Sequence, residues 1–196
     1  MRTLIQRPVF GSTVWPWGHL GFGYLLYSLS RRATGRGPPT DAAALALAFG
    51  TQFPDVVDKP LAWWLTVLPS GRSLAHSALF GTLVVALVWW VLASREHSEA
   101  GSAFALGYAS HLLGDSLVDL SAGAFGRLTF LLWPVLPAVE YDDEGLGPLV
   151  GEFALTPWVL FGLLVGVLTA VLWAVDGFPG VAGVTRWYRR VRSTVG

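Results

Sequence analysis

The chain contains no cysteine, which excludes disulfide frameworks and thiolate metal sites; any bound metal must be held by histidine and carboxylate alone. It is also poor in charge. Asp, Glu, Lys and Arg make up 13% of its 196 residues, against roughly 25% in an average soluble domain. The 13 basic and 13 acidic residues cancel, so a nucleic-acid-binding surface has no compositional support. Residues 1–14 lack the continuous apolar region of a cleavable signal peptide. No internal repeat and no low-complexity tract is evident. Neither HExxH nor GxSxG occurs, which disfavours the familiar intramembrane proteases.

What the chain has instead is apolar mass. Hydrophobic residues reach 53%, with ten Trp and eleven Phe. A length of 196 residues suits one domain, and side chains of that kind need either a very large core or lipid around them. Lipid fits better. The expectation is an all-α, polytopic membrane bundle of about five transmembrane or re-entrant helices. It forms one integral membrane domain over residues 1–196, with a short Arg-rich tail at 177–196.

The strongest run is Leu155–Val175, uncharged and long enough, at about 1.5 Å per residue, to cross a hydrocarbon core of roughly 30 Å. Leu74–Ala93 is a second span, with Trp89 and Trp90 as interfacial anchors. Ser102–Leu120 is a third, its hydropathy lowered by His111, Asp115 and Asp119. Gly18–Ser30 and Asp41–Phe53 are shorter, at lengths where a re-entrant helix competes with a full span. Leu128–Val139, broken by Pro134 and Pro137, is placed at the membrane surface. Arg31, Arg32 and Arg36 follow the first helix, Arg95 the third, and Arg186, Arg189, Arg190 and Arg192 the fifth. Reading all three groups as cytoplasmic makes the five helices alternate and puts the N-terminus and the acidic segment 140–152 outside; Arg2 and Arg7 argue the other way.

In that topology His19, Asp55, Asp58, Arg72, His76, His111 and Asp115, from four separate segments, converge on the non-cytoplasmic side. His111 and Asp115 are four apart and share a helical face, which Asp119 continues; Arg72 and His76 have the same separation. A charged Asp at the centre of a membrane helix costs about 2.5–3.5 kcal/mol on insertion scales, so it must meet a partner or a wet cavity. Neutral imidazole with carboxylate suits zinc, or manganese and iron where carboxylate predominates. Each residue also has a plainer use. His19 is equally an interfacial polar group, His111 with Asp115 a hydrogen-bonded pair, Asp55 and Asp58 a helix end before Pro60, Arg72 a snorkelling charge, and Asp119 a solvated helix terminus. The plain readings must account independently for one face being chosen four times.

The ordered set Gly18-His19, Phe53-Pro54-Asp55, Arg72 through His76-Ser77, Gly107 through His111 to Asp115, and Leu132-Trp133-Pro134 resembles a known family. It is similar to the YdjM-type inner-membrane metal-dependent hydrolases, also described as LexA-regulated or LexA-binding. The resemblance implies His19, Asp55, His76, His111 and Asp115 as metal ligands. Two positions depart from the family pattern. A PDxD becomes PDVVD, moving Asp58 one residue, and Gly71-Arg72 stands where the family has His-Arg.

The functional expectation is a membrane-bound hydrolase using a divalent metal, zinc foremost, near the non-cytoplasmic face of the cell (plasma or inner) membrane. Asp55 or Asp58 would be general base, and Arg72 would stabilise developing negative charge. The partners are membrane lipid and an amphiphilic phosphoester substrate, with no nucleic acid. Rival readings are an ion or proton-coupled transporter with a relay along His111, Asp115 and Asp119, and a non-catalytic scaffold whose Arg-rich tail binds anionic lipid.

Overall fold

The computed structural model describes residues 16–139 and 157–195. The reading of residues 1–14 and the acidic segment 140–152 lie outside them. The described residues form six α-helices: α1 (Pro16–Ala33), α2 (Asp41–Lys59), α3 (Ala78–Ala93), α4 (Ser98–Ser121), α5 (Pro157–Val175) and α6 (Val181–Val195). A π-helical turn, Pro60–Trp64, extends α2, and a 3-10 segment, Phe125–Leu132, follows α4.

Helix boundaries follow local chemistry. Thr40 caps α2 by accepting from the Ala43 amide, with Asp41 in the first turn, where negative charge suits the helix dipole. Ser77 caps α3 by accepting from the Leu79 amide. Pro54 lies inside α2 and removes the amide that would bond the Gly50 carbonyl, one turn before Asp58.

Helix α4 is central, packed by α1, α2 and α3, while α5 lies against α1 and α6 against α2. The α2–α4 crossing depends on glycine. A Cβ on Gly107 would lie 2.5 Å from the Leu47 carbonyl oxygen, and one on Gly50 would meet the Phe104 carbonyl. Close backbone approach through small residues is the packing mode of helices in lipid, though also found elsewhere. The apolar core is small: Tyr24, Tyr27, Ala43, Leu47 and Ala103, with Trp173 and Leu172 of α5 against it.

The bundle inverts the usual distribution. His19, Asp58, His76, His111, Asp115 and Asp119 are buried, while Leu79, Leu83, Leu87 and Trp90 of α3 and Leu160, Phe161, Leu164, Val167 and Val171 of α5 are exposed. The expected full-length spans are nevertheless corrected. Among the described residues no helix is long and apolar enough to cross a membrane. The reason lies in each helix. Helix α3 has only 16 residues, α2 carries Asp41, Asp55, Asp58 and Lys59, and α4 carries Glu99, Asp115 and Asp119. The helices that build the polar interior give up hydropathy to do so. Helix α5 has 19 residues and no charge. The tail read at 177–196 contains the helix α6.

Candidate metal centre

The antiparallel course brings the start of α1, the end of α2, the loop before α3 and the distal half of α4 to one end of the bundle. The 65–77 loop is organised by Asp58. Its carboxylate accepts the backbone amides of Ser73 at 2.9 Å, Ala75 at 2.8 Å and His76 at 3.1 Å. It also faces His76 Nδ1 at 2.8 Å. A carboxylate so placed takes the ring proton on Nδ1 and leaves the Nε2 lone pair of neutral His76 pointing inward.

His111 is oriented in the same way by a different acceptor. Its Nδ1 lies 2.6 Å from the Thr51 carbonyl oxygen, in the turn of α2 before Pro54. A carbonyl only accepts, so the proton sits on Nδ1 and Nε2 is again the lone pair. The two Nε2 atoms are 3.1 Å apart. Two lone pairs at that separation repel unless they share a proton or a metal ion.

Carboxylates complete the arrangement. Asp55 Oδ1 lies 3.4 Å from His76 Nε2 and 3.7 Å from His111 Nε2. Asp115 Oδ2 lies 3.5 Å and 3.6 Å from the same two atoms. Around a tetrahedral ion with bonds of about 2.0–2.1 Å, neighbouring donor atoms are about 3.3–3.4 Å apart, so each carboxylate makes a ligand triangle of suitable size with the two imidazoles. Asp55, His76 and His111 all offer donors within 4.8 Å of one another, as do His19, His111 and Asp115. His19 stacks on the His111 ring, centroids 3.8 Å apart and 19° between planes. Its Nε2 is 3.5 Å from Asp115 Oδ1, and its buried Nδ1 has no hydrogen-bond partner.

The surroundings hold these ligands. Arg72 bridges Asp115 Oδ1 at 2.9 Å and Asp119 Oδ2 at 3.4 Å, and Arg127 reaches Asp119 at 3.8 Å. Lys59 pairs with Asp55 at 2.6 Å. Four carboxylates therefore face three cationic side chains, a balance that favours one further positive charge. The same field acts on His76: burial pushes its pKa down, but the carboxylates of Asp55, Asp58 and Asp115 outweigh burial and raise it above the ordinary histidine value. An environment that draws a proton to a ring nitrogen also draws a metal ion to it.

The structure thus brings His19, Asp55, His76, His111 and Asp115 together and places Asp58 behind His76, fully buried with its oxygens engaged. Arg72 lies at the cluster edge, occupied by Asp115 and Asp119. Asp119, read as a solvated helix end, is buried. His97 stands away from the cluster, at the start of α4. Sequence reasoning missed Lys59, although its spacing of four from Asp55 was a visible signal. It also missed Thr51 and Phe130. Thr51 acts through its carbonyl, which side-chain identity cannot reveal. Phe130 packs edge-on against His76 with centroids 6.3 Å apart, and Ser77 Oγ donates to the Trp133 carbonyl at 2.6 Å, tying the 3-10 segment to the cluster.

Bundle and cluster together define an all-helical protein with a buried histidine–aspartate group suited to a metal ion. The chain belongs to the YdjM inner membrane protein family, which it matches over residues 15–184. No curated protein and no solved structure matches it.

Proposed function

We propose that the protein is a membrane-embedded hydrolase dependent on a divalent metal, with zinc the first candidate and an amphiphilic phosphoester or lipid-like molecule as substrate. The observation that carries the reading is the pair of imidazoles, each with Nδ1 donating elsewhere, whose Nε2 atoms face each other at 3.1 Å beside Asp55 and Asp115. His76, His111 and Asp115 would hold the ion and leave a position open on the side of Asp55, with His19 adjoining through Asp115. A divalent ion in such a donor set activates water and polarises a phosphoryl oxygen.

The chain's own residues serve that chemistry by position. Asp58 fixes the His76 tautomer, Thr51 fixes that of His111, and Arg72 anchors Asp115 while placing positive charge at the rim. Asp55 is the carboxylate with most access, its side chain 13% exposed, and Lys59 beside it can exchange that contact for an anionic group. We assign general-base duty to Asp55 rather than to the enclosed Asp58. Membrane embedding is supported by the apolar exterior of α3 and α5 and by the family's description.

The test is metal analysis of protein purified in mild detergent, with bis(p-nitrophenyl) phosphate hydrolysis as the activity probe. We expect about one or more equivalents of bound divalent ion, lost in His76→Ala and His111→Ala together with hydrolysis. Protein free of zinc, manganese and iron that takes up none on addition would overturn the reading; so would full metal content in both variants.

A further inference from the structure

Helix α6 presents an apolar stripe that none of the described residues covers. Val181, Val184, Tyr188 and Val191 recur at helical spacing along one side, and all four are exposed. The opposite side is the one turned to the protein. A Cβ on Gly183 would lie 3.2 Å from Leu45, and Arg186 pairs with Asp41 at 2.6 Å, while the Gly180 amide donates to the same carboxylate at 2.7 Å. The helix therefore packs by its polar side and turns its apolar side away. It carries Arg186, Arg189, Arg190 and Arg192 and no acidic residue.

Its place in the bundle gives the stripe a setting. The exposed apolar surface of α5 continues through Val175 and Phe178 into Val181. The turn between the helices has positive φ at Gly177 (83°) and Gly180 (97°), a left-handed conformation that glycine adopts without penalty and that redirects the chain. Helix α6 thus begins at the end of the bundle that carries Arg31, Arg32 and Arg36, opposite the metal-site end, since Arg31 pairs with Glu99 at the start of α4 and Asp41 starts α2.

We propose that α6 lies along an anionic lipid surface, its valine–tyrosine stripe inserted at the headgroup boundary and Arg189 and Arg192 engaging lipid phosphates. This rests on the membrane reading of α5 and goes beyond it. An apolar stripe bordered by Arg189 and Arg192, on a helix whose Arg186 alone is matched by the Asp41 carboxylate, suits a negatively charged bilayer surface better than an uncharged one. A second copy of the same chain would bring four arginines against four.

The absence of cysteine makes the test direct. Single cysteines replace Leu164, Val184 or Ser193 in the full-length chain, each carrying a nitroxide label. The protein is reconstituted in nanodiscs of phosphatidylcholine alone or mixed with phosphatidylglycerol. We expect the Leu164→Cys label to be oxygen-accessible and shielded from an aqueous nickel chelate in both lipids. The Val184→Cys label should gain several-fold in oxygen-to-nickel accessibility only with phosphatidylglycerol, and lose it in the Arg189→Gln/Arg192→Gln background, while the Ser193→Cys label stays wet. A Val184→Cys label that remains wet in both lipids, with Leu164→Cys shielded, overturns the proposal and leaves the membrane reading standing. Equal shielding of Val184→Cys in neutral lipid removes the anionic surface, and strong spin coupling between Val184→Cys labels assigns the stripe to a second copy. A wet Leu164→Cys label overturns both readings.

Discussion

Asp58 acts through other groups, and its removal therefore has a separable signature. Its carboxylate accepts three backbone amides as well as facing His76 Nδ1. Asparagine keeps the shape but supplies one acceptor oxygen and no charge, so Asp58→Asn should cost about 1–3 kcal/mol of stability. Because His76 loses its orienting anion, metal affinity should also fall by about 10–100-fold. Titration calorimetry with zinc on folded Asp58→Asn in detergent checks this, and unchanged affinity would remove the positioning role. A different carboxylate, Asp176, adds to the acid sensitivity of the fold. Burial raises the pKa of Asp176, but bonds from Ser28 Oγ at 2.6 Å, Tyr24 Oη at 2.8 Å and Arg32 outweigh burial and hold it below the ordinary carboxylate value. A depressed folded pKa gives stability that is complete above the unfolded value of about 3.9 and is lost as pH falls through the folded one. Thermal stability should thus fall below about pH 4, and Asp176→Asn should be less stable at neutral pH yet less sensitive to that acidification. An identical acid profile in wild type and variant would show that Asp176 does not contribute to it.

At the scale of elements, α2 and α4 meet where side chains are absent, and the cluster depends on that proximity because Asp55 comes from one helix and His111 and Asp115 from the other. Gly107→Ala would put a methyl group 2.5 Å from the Leu47 carbonyl oxygen, a backbone atom that cannot swing aside. The helices must separate, which should cost about 1–3 kcal/mol and reduce metal loading, readable by denaturant titration alongside metal analysis. Gly126→Ala, with nothing near it, is the control expected to change neither. The helices themselves were legible in the sequence because apolar runs and breakers mark them: Gly18–Ser30, Asp41–Phe53 and Ser102–Leu120 each lie inside an observed helix. Their ends were less legible. Asp41–Phe53 stops before Pro54, yet α2 runs through that proline to Lys59, because one missing amide costs a single helical bond while Asp58, beyond it, is held by the returning loop. Leu74–Ala93 began too early because Leu74 and Ala75 are apolar, although their loop is fixed by the Asp58 carboxylate. The convergence of histidine and aspartate was legible from residue type and spacing, and the ligand set from the family resemblance. The distinction between Asp55 at the mouth and Asp58 behind His76 was not, because both follow the same helix turn and only the loop's return decides which is enclosed.

The whole molecule has two chemically different ends. One gathers His19, Asp55, His76, His111 and Asp115, and the other carries Arg31, Arg32 and Arg36 with α6 beside them. Between them the exterior of α3 and α5 is apolar. Arginine excess marks the cytoplasmic side of inner-membrane proteins, because basic residues are retained there during insertion. If the polarity of this chain follows that rule, the histidine–aspartate cluster faces away from the cytoplasm, and the substrate of the proposed activity would reach it from the outer leaflet or beyond. Thiol accessibility reads this in cells, since the chain has no cysteine of its own. Ala122, exposed just past the end of α4, lies at the cluster end, and Thr34, exposed just past the end of α1, lies at the arginine end. In intact spheroplasts a membrane-impermeant maleimide should label Ala122→Cys and spare Thr34→Cys, and disruption of the membrane should expose Thr34→Cys. The reverse pattern would turn the molecule over and make the substrate cytoplasmic. Labelling of both from outside would mean that the apolar exterior does not separate two compartments.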